Sequence, residues 1–123
     1  MEIGYFCDKN REYIIENMHP VRPLKNYLWN DTTFAELNQF CFGTTKSCIN
    51  KDFRPLVNDV RLIYVKDKES GETYSPNRNY AKLPFDSFRC RVGLGYQTTE
   101  SSYKGLESSF TIVIPEHGYM ELQ

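Results

Sequence analysis

The sequence predicts a mainly β fold, an antiparallel β-sandwich with at most one short helix. Short runs of aromatic and β-branched residues recur along the 123 residues and alternate with turn-forming residues. Residues 106–114 alternate apolar and polar side chains, which is typical of a half-buried strand. Only residues 32–42 carry apolar side chains at helical spacing. The length fits a single domain, residues 1–123.

Two β-hairpins are predicted from strand-like runs on either side of a turn. Residues 3–7 and 12–15 are rich in aromatic and β-branched side chains, and the Asp-Lys-Asn-Arg run between them favours a turn. Residues 61–65 form the plainest strand of the sequence. The Lys-Glu-Ser-Gly run at 68–71 turns the chain, and residues 72–75 return.

The middle of the chain is harder to assign. Residues 32–42 fit a helix or a strand equally well, because helical spacing separates Phe34, Leu37 and Cys41 while the phenylalanines at 40 and 42 also fit a strand. Residues 43–52 are rich in Thr, Ser, Asn and Lys and predict an exposed loop. In the last predicted strand, one face carries the core residues Leu106, Phe110, Ile112 and Ile114.

Composition excludes several classes of function. The net charge of −1 gives no electrostatic footprint for nucleic acid or for an anionic membrane. No apolar run approaches the roughly 20 residues that span a bilayer. The first residues lack the pattern of a signal peptide, so a cytoplasmic location is expected. The four cysteines form no Cys-x-x-Cys pair, which predicts free thiols and no metal site.

No catalytic residue is predicted, because the acidic residues mostly fall in turns and no nucleophile has a convincing base. The most notable polar and aromatic cluster is Arg22, Tyr27 and Trp29. Aromatic faces stack on sugar rings, and arginine donates paired hydrogen bonds to hydroxyl groups or phosphate. The favoured alternative is that Tyr27 and Trp29 pack under a loop or at a subunit interface, since such residues are commonly buried in β-sandwich cores and interfaces.

The glycine pair in Arg-Cys-Arg-Val-Gly-Leu-Gly-Tyr, residues 89–96, does not predict a phosphate-binding loop. The dinucleotide fingerprint requires a third glycine where this chain has Thr98, followed by a helix, and the residues after Tyr96 are extended in character. Gly93 and Gly95 therefore indicate a bend in a strand or a close approach of another backbone.

Residues 90–96 instead carry a family resemblance. They resemble the Cys-Arg-His-Gly-Leu-Gly-Tyr motif of the inverting disaccharide phosphorylases of glycoside hydrolase family ninety-four, which include the cellobiose and chitobiose phosphorylases. Further segments of the chain are similar to family segments in the same order. They are the opening Gly-Tyr-Phe and Arg-Glu-Tyr-Ile-Ile, the Asn-Tyr-Leu at residues 26–28, the Arg-Leu-Ile-Tyr-Val at 61–65 and the strand ending at Pro115. Val92 replaces the family's His, and Leu24 and Tyr74 stand at Trp positions, which indicates a divergent subgroup.

The resemblance implies that residues 1–123 are part of an N-terminal super-β-sandwich of the galactose-mutarotase type, which is larger than this chain. In the family, a helical barrel supplies the general acid, and inorganic phosphate attacks the anomeric carbon as co-substrate. The resemblance ends before that barrel, so this chain is expected to be catalytically silent and to need no cofactor. Its expected roles are structural support, dimerisation or association with the barrel, and contact with a β-linked glucoside. A stand-alone carbohydrate-binding module and an accessory subunit of a separately encoded barrel are the alternatives. An open edge at the last strand is also expected to make the isolated chain self-associate, or to make its solubility depend on the rest of the enzyme.

Overall fold

A computed structural model describes residues 3–22, 24–77 and 84–123 of the chain. Pro23, in the family-like segment before Asn-Tyr-Leu, lies outside them. The described residues form no helix and eleven strands, which are β1 (Tyr5–Cys7), β2 (Glu12–Ile15), β3 (Asn26–Trp29), β4 (Thr33–Leu37), β5 (Thr45–Ile49), β6 (Asp52–Val57), β7 (Val65–Lys66), β8 (Thr73–Tyr74), β9 (Ser87–Val92), β10 (Tyr96–Tyr103) and β11 (Leu106–Val113).

Nine of these strands form two antiparallel sheets. Sheet A has the order β1-β2-β9-β10-β11, and sheet B has the order β3-β4-β5-β6, while β7 and β8 pair with each other alone. One apolar cluster joins the sheets, because it contains Leu28, Ala35 and Leu37 from sheet B together with Phe110 and Ile112 from sheet A. The predicted mainly β, antiparallel sandwich is confirmed.

The strands form because their side chains alternate between this core and solvent. Along β4, Thr33, Ala35 and Leu37 are buried while Phe34 and Glu36 point outwards. A second apolar cluster, formed by Ile15, Phe88 and Cys90 with partly buried neighbours, continues the core under sheet A. No helix long and apolar enough to cross a membrane occurs in the part of the chain that the structure describes.

The predicted N-terminal hairpin and final strand are confirmed. β1 pairs with β2 in the register Tyr5 to Ile14, and β11 pairs along its whole length with β10. Leu106 is an exception to the predicted buried face of β11, because it is exposed. It occupies the first position of the strand, beside the turn at Lys104 and Gly105, and it does not belong to the apolar cluster that joins the sheets.

The helical alternative for residues 32–42 is wrong. β4 occupies Thr33–Leu37, and a turn closed by the bond from the Cys41 amide to the Asn38 carbonyl follows. The Asn38 side chain accepts hydrogen bonds from the amides of Phe40 and Phe42. These local bonds replace the main-chain bonds of a helix.

The predicted exposed loop at residues 43–52 is also wrong, since it contains β5 and the start of β6. Thr45 and Ser47 are fully buried, and their hydroxyl groups bond to other buried polar side chains. Asn50 and Lys51 turn the chain with positive φ angles of 52° and 69°, as in a type I′ hairpin turn, although neither is glycine.

The strand predicted at residues 61–65 is mostly wrong. Only Val65 and Lys66 pair with β8, and the turn after them is confirmed by the bond from the Gly71 amide to the Asp67 carbonyl. Arg61 is buried, and its carbonyl accepts a 2.9 Å bond from the Asn77 side chain. A side chain thus supplies the donor that a neighbouring strand would supply in a sheet.

Candidate aromatic groove

The two predicted aromatic residues lie on β3, at the edge of sheet B. Asn26 and Leu28 point inwards, so the alternation of the strand turns Tyr27 and Trp29 to the outer face. Tyr27 is 43% exposed and Trp29 is 69% exposed. The prediction that they pack under a loop is therefore wrong, whereas the alternatives of an interface and of a carbohydrate contact stay predictions.

A groove of about 430 Å³ contains both residues. It lies between β3 and two turns of sheet A, namely the turn between β1 and β2 and the turn between β9 and β10. Its apolar lining residues are Phe6, Tyr13, Tyr27, Leu28, Trp29, Val92 and Leu94, and its polar ones include Arg11, Glu12 and Asn26. Arg22 is exposed and does not line the groove, so the structure brings together two of the three predicted site residues.

Ring contacts fix part of the groove wall. Phe6 meets Tyr13 edge to face, with ring centres 4.9 Å apart. Tyr27 stacks on Phe34 of the neighbouring strand, with ring centres 5.5 Å apart and 24° between the planes. Trp29 is 69% exposed and lines the same groove.

The glycine pair forms the opposite wall. Gly93, Leu94 and Gly95 make the turn between β9 and β10, closed by a 3.1 Å bond from the Gly93 amide to the Tyr96 carbonyl. Gly95 has a φ of +82°, which favours glycine. A Cβ on Gly93 would meet the Tyr96 ring at 2.3 Å. The tight turn confirms the predicted bend, whereas the group that approaches Gly93 closely is the Tyr96 side chain and not another backbone. The sequence did not reveal that this turn would face Trp29.

A buried polar network holds this turn against β2. Glu12 is buried, and its Oε1 accepts hydrogen bonds from the Tyr96 hydroxyl and, at 2.9 Å, from Arg91 Nη1. Arg91 also donates to Glu100 at 2.9 Å. The hydrogen bond to Glu12 raises the pKa of Tyr96 above its ordinary value of 10.0. Glu12 Oε2 has no hydrogen-bond partner among the described residues.

These contacts give a structural role to residues of the family-like sequence segments. Glu12 belongs to the Arg-Glu-Tyr segment, and Arg91 and Tyr96 belong to the glycine-pair segment, so two separate motifs of the sequence meet in one hydrogen-bonded network. Asn26 of the Asn-Tyr-Leu segment likewise donates to Gln97 Oε1 at 3.1 Å. The motif residues thus fix the walls of the groove, and the exposed rings form its surface.

A second buried network lies away from the groove. The Arg61 guanidinium donates to both carboxylate oxygens of Glu121 and to Thr45 Oγ1, and also to the carbonyls of Cys41 and Gly43 at 3.1 and 2.9 Å. Both side chains of the ion pair are almost fully buried. The pair ties the segment after β11 to sheet B.

Burial alone would raise the pKa of Glu121, but the hydrogen bonds from Arg61 and Thr45 outweigh it and leave that pKa below its ordinary value of 4.5. Glu121 is therefore ionised at neutral pH. The four cysteines carry free thiols, and burial raises the pKa of Cys41 and of Cys90. No group of three His, Cys, Asp or Glu side chains that could hold a metal ion occurs within residues 3–22, 24–77 and 84–123.

Comparison with known proteins places this fold in context. A family model described as the supersandwich domain of glycosyl hydrolase 94 matches residues 11–123. The chain is 32% identical to the 3-O-β-D-glucopyranosyl-β-D-glucuronide phosphorylase of Paenibacillus borealis, over 97% of this chain and 15% of that protein. It is 25% identical to the solabiose phosphorylase of the same organism, over 97% of this chain and 17% of that protein.

A relative from another organism is also named as a phosphorylase. The chain is 27% identical to the N,N′-diacetylchitobiose phosphorylase of Vibrio furnissii, over 94% of this chain and 16% of that protein. The chain therefore spans 15–17% of the length of these curated relatives.

Proposed function

Since the chain belongs to the glycosyl hydrolase 94 family and forms its supersandwich domain, we propose that it is the non-catalytic β-sandwich of an enzyme that cleaves a β-linked glycoside with inorganic phosphate. The observation that carries the proposal is the match of residues 11–123, together with relatives that are all named as phosphorylases. The sandwich supports the catalytic barrel, which belongs to the same polypeptide or to a separately encoded partner.

The chemistry of the buried carboxylates supports a non-catalytic role. The general acid of glycoside cleavage must hold a proton near neutral pH. The lowered pKa of Glu121 keeps it ionised. Glu12 lines the aromatic groove, but its side chain is buried and is held by hydrogen bonds from Arg91 and Tyr96. The proton donor is therefore expected from outside these residues.

The purified chain, incubated with phosphate and cellobiose, laminaribiose or chitobiose, is expected to release no sugar 1-phosphate above a preparation from cells carrying the empty vector. The reason is that a positioned general acid is missing. Phosphate-dependent release that rises with the concentration of the chain would contradict the proposal.

We further propose that the aromatic groove contacts carbohydrate. The exposure of Tyr27 and Trp29 in one groove supports this role, because open ring faces stack on pyranose rings and the nearby Arg11 and Asn26 can bond to hydroxyl groups. The same exposure keeps a stand-alone carbohydrate-binding module as the second candidate. We also propose a cytoplasmic location, and a homodimer or a contact with the barrel as the assembly of the whole enzyme.

Trp29 is the single tryptophan of the chain, so its fluorescence reports directly on the groove. Titration with the same disaccharides is expected to change this fluorescence, and Tyr27→Ala is expected to weaken the apparent affinity at least about threefold, since one stacking face is lost. Phe53→Ala is the matched control, because Phe53 is 65% exposed on β6 but does not line the groove. An unchanged spectrum at every sugar concentration would contradict carbohydrate contact.

A further inference from the structure

A small cavity lies between the two sheets, next to the aromatic groove. It has a volume of about 180 Å³. Both sheets and the segment before β3 contribute its apolar lining, which consists of Tyr13, Ile15, Leu24, Leu37 and Val92. Tyr13, Asn26 and Val92 line the groove as well, so the two spaces share these residues as a common wall.

Two of the positions at which this chain departs from the family-like pattern line this cavity. Leu24 stands where the pattern has Trp, and Val92 stands where it has His. Leucine is much smaller than tryptophan, so it leaves space, and valine lacks the two ring nitrogens of histidine. Both side chains pack against the apolar cluster of Ile15, Phe88 and Cys90. The size and the apolar character of the cavity therefore depend on residues in which this chain differs from the pattern.

The polar side chains around the cavity are already engaged by the protein. Asn26 Nδ2 donates to Gln97 Oε1 at 3.1 Å, and Gln97 Nε2 donates to the Asn38 carbonyl at 2.6 Å. Gln39 donates to a main-chain carbonyl at 3.2 Å, and Lys25 pairs with a carboxylate of β4 at 2.6 Å. No buried nitrogen or oxygen of these side chains lacks a hydrogen-bond partner. A hydroxyl group in this space would leave water for groups that are already paired, which is costly, whereas an apolar group avoids that cost.

We propose that this cavity binds the apolar aglycone of a β-glycoside whose sugar ring lies in the aromatic groove. The proposal rests on the carbohydrate contact proposed above. The two exposed rings of the groove suit the sugar, and the cavity beside them suits a group of the size of a phenyl ring, since an apolar cavity of roughly 150 Å³ holds benzene. The ligand class is therefore the aryl β-glycosides, and Leu24 and Val92 determine the specificity for the aryl group.

Calorimetric titration of the chain with two glycosides that carry the same sugar tests this inference. Phenyl β-D-glucopyranoside is expected to bind at least about tenfold more tightly than methyl β-D-glucopyranoside, because its ring leaves water for the cavity. Its heat capacity change on binding is expected to be more negative, which is the signature of apolar surface that becomes buried. This comparison is made on the parent chain, so it does not depend on the folding of any variant.

Two substitutions then locate the aryl group. Leu24→Trp restores the residue of the family-like pattern and fills the cavity, so it is expected to remove most of the preference for the phenyl glycoside. Leu106→Trp is the matched control, because Leu106 is exposed and lines neither the groove nor the cavity. Val92→His places a polar ring in the common wall and is expected to lower the ratio of the two affinities at least about threefold. Circular dichroism checks that each variant is folded.

Three outcomes would overturn the proposal, and they differ in what else they affect. If the two glycosides bind equally tightly, the groove contacts carbohydrate but the cavity takes no aglycone. If neither glycoside binds, the carbohydrate contact fails together with this inference. If Leu24→Trp and Val92→His both leave the preference for the phenyl glycoside unchanged, the aryl group binds elsewhere on the chain.

Discussion

Replacing Ile112 by lysine is expected to unfold the chain. Ile112 is 0% exposed and packs in the cluster that joins the two sheets. Burying an isoleucine side chain contributes about 1.5–3 kcal/mol, and an unpaired ammonium in its place adds a further desolvation cost. Together these effects are expected to exceed about 4 kcal/mol, which is a large part of the 5–15 kcal/mol that typically stabilises a domain.

Urea denaturation followed by circular dichroism measures this effect. Ser109→Lys is the control, because it places the same side chain on the same strand but on the exposed outer face. It is expected to change the free energy of unfolding by no more than about 0.5 kcal/mol. If Ile112→Lys folds and unfolds like the control, the inner face of β11 is a contact surface rather than the core.

The strand around Ile112 was predictable because its apolar and polar side chains alternate within a short segment. β5 was not predictable in this way, because its inward positions are Thr45 and Ser47. Small hydroxyl groups are buried there since Glu121 and Thr33 supply their hydrogen-bond partners. Glu121 lies 76 positions further along the chain, so no local pattern reveals that the hydroxyl group of Thr45 is satisfied.

The candidate site was also only partly predictable, because its walls depend on contacts between residues that are far apart in the sequence. Tyr27 and Trp29 were identified because exposed rings near polar residues suit a sugar, but their exposure could not be distinguished from burial. The exposure of the two rings depends on which face of β3 packs against sheet A. The glycine turn that faces them comes more than 60 residues later, and its position depends on the contact of Glu12 with Tyr96. Arg22 was grouped with the rings by proximity in sequence alone, and the groove does not include it.

Breaking the Arg61–Glu121 ion pair is the second change that is expected to lower the free energy of unfolding strongly. Arg61→Met leaves the Glu121 carboxylate buried without its cation, and it leaves the carbonyls of Cys41 and Gly43 without their donor. Loss of one partner of a buried pair typically costs about 3–5 kcal/mol. Arg89→Met is the control, because its pair with Glu16 is half exposed and is expected to contribute no more than about 1 kcal/mol.

A double-mutant cycle separates the ion pair from the other contacts of Arg61. Glu121→Leu alone leaves a buried guanidinium without its carboxylate and is expected to be as harmful as Arg61→Met. Arg61→Met combined with Glu121→Leu removes both charges, so its cost is expected to be clearly smaller than the sum of the single costs. Additive costs would show that the two side chains act independently.

The pH dependence of stability gives an independent test of the same pair. Hydrogen bonds from Arg61 and Thr45 hold the pKa of Glu121 in the folded chain below its ordinary value of 4.5. The unfolded chain therefore binds this proton more readily, and the contribution of the pair is complete above about pH 4.5 and is lost as the pH falls through the lowered pKa. Free energies of unfolding, measured from about pH 6 to about pH 3, are expected to fall more steeply for the parent chain than for Glu121→Gln, which has no carboxylate to protonate at this site. Profiles that run parallel over this range would mean that Arg61 does not stabilise the ionised form of Glu121.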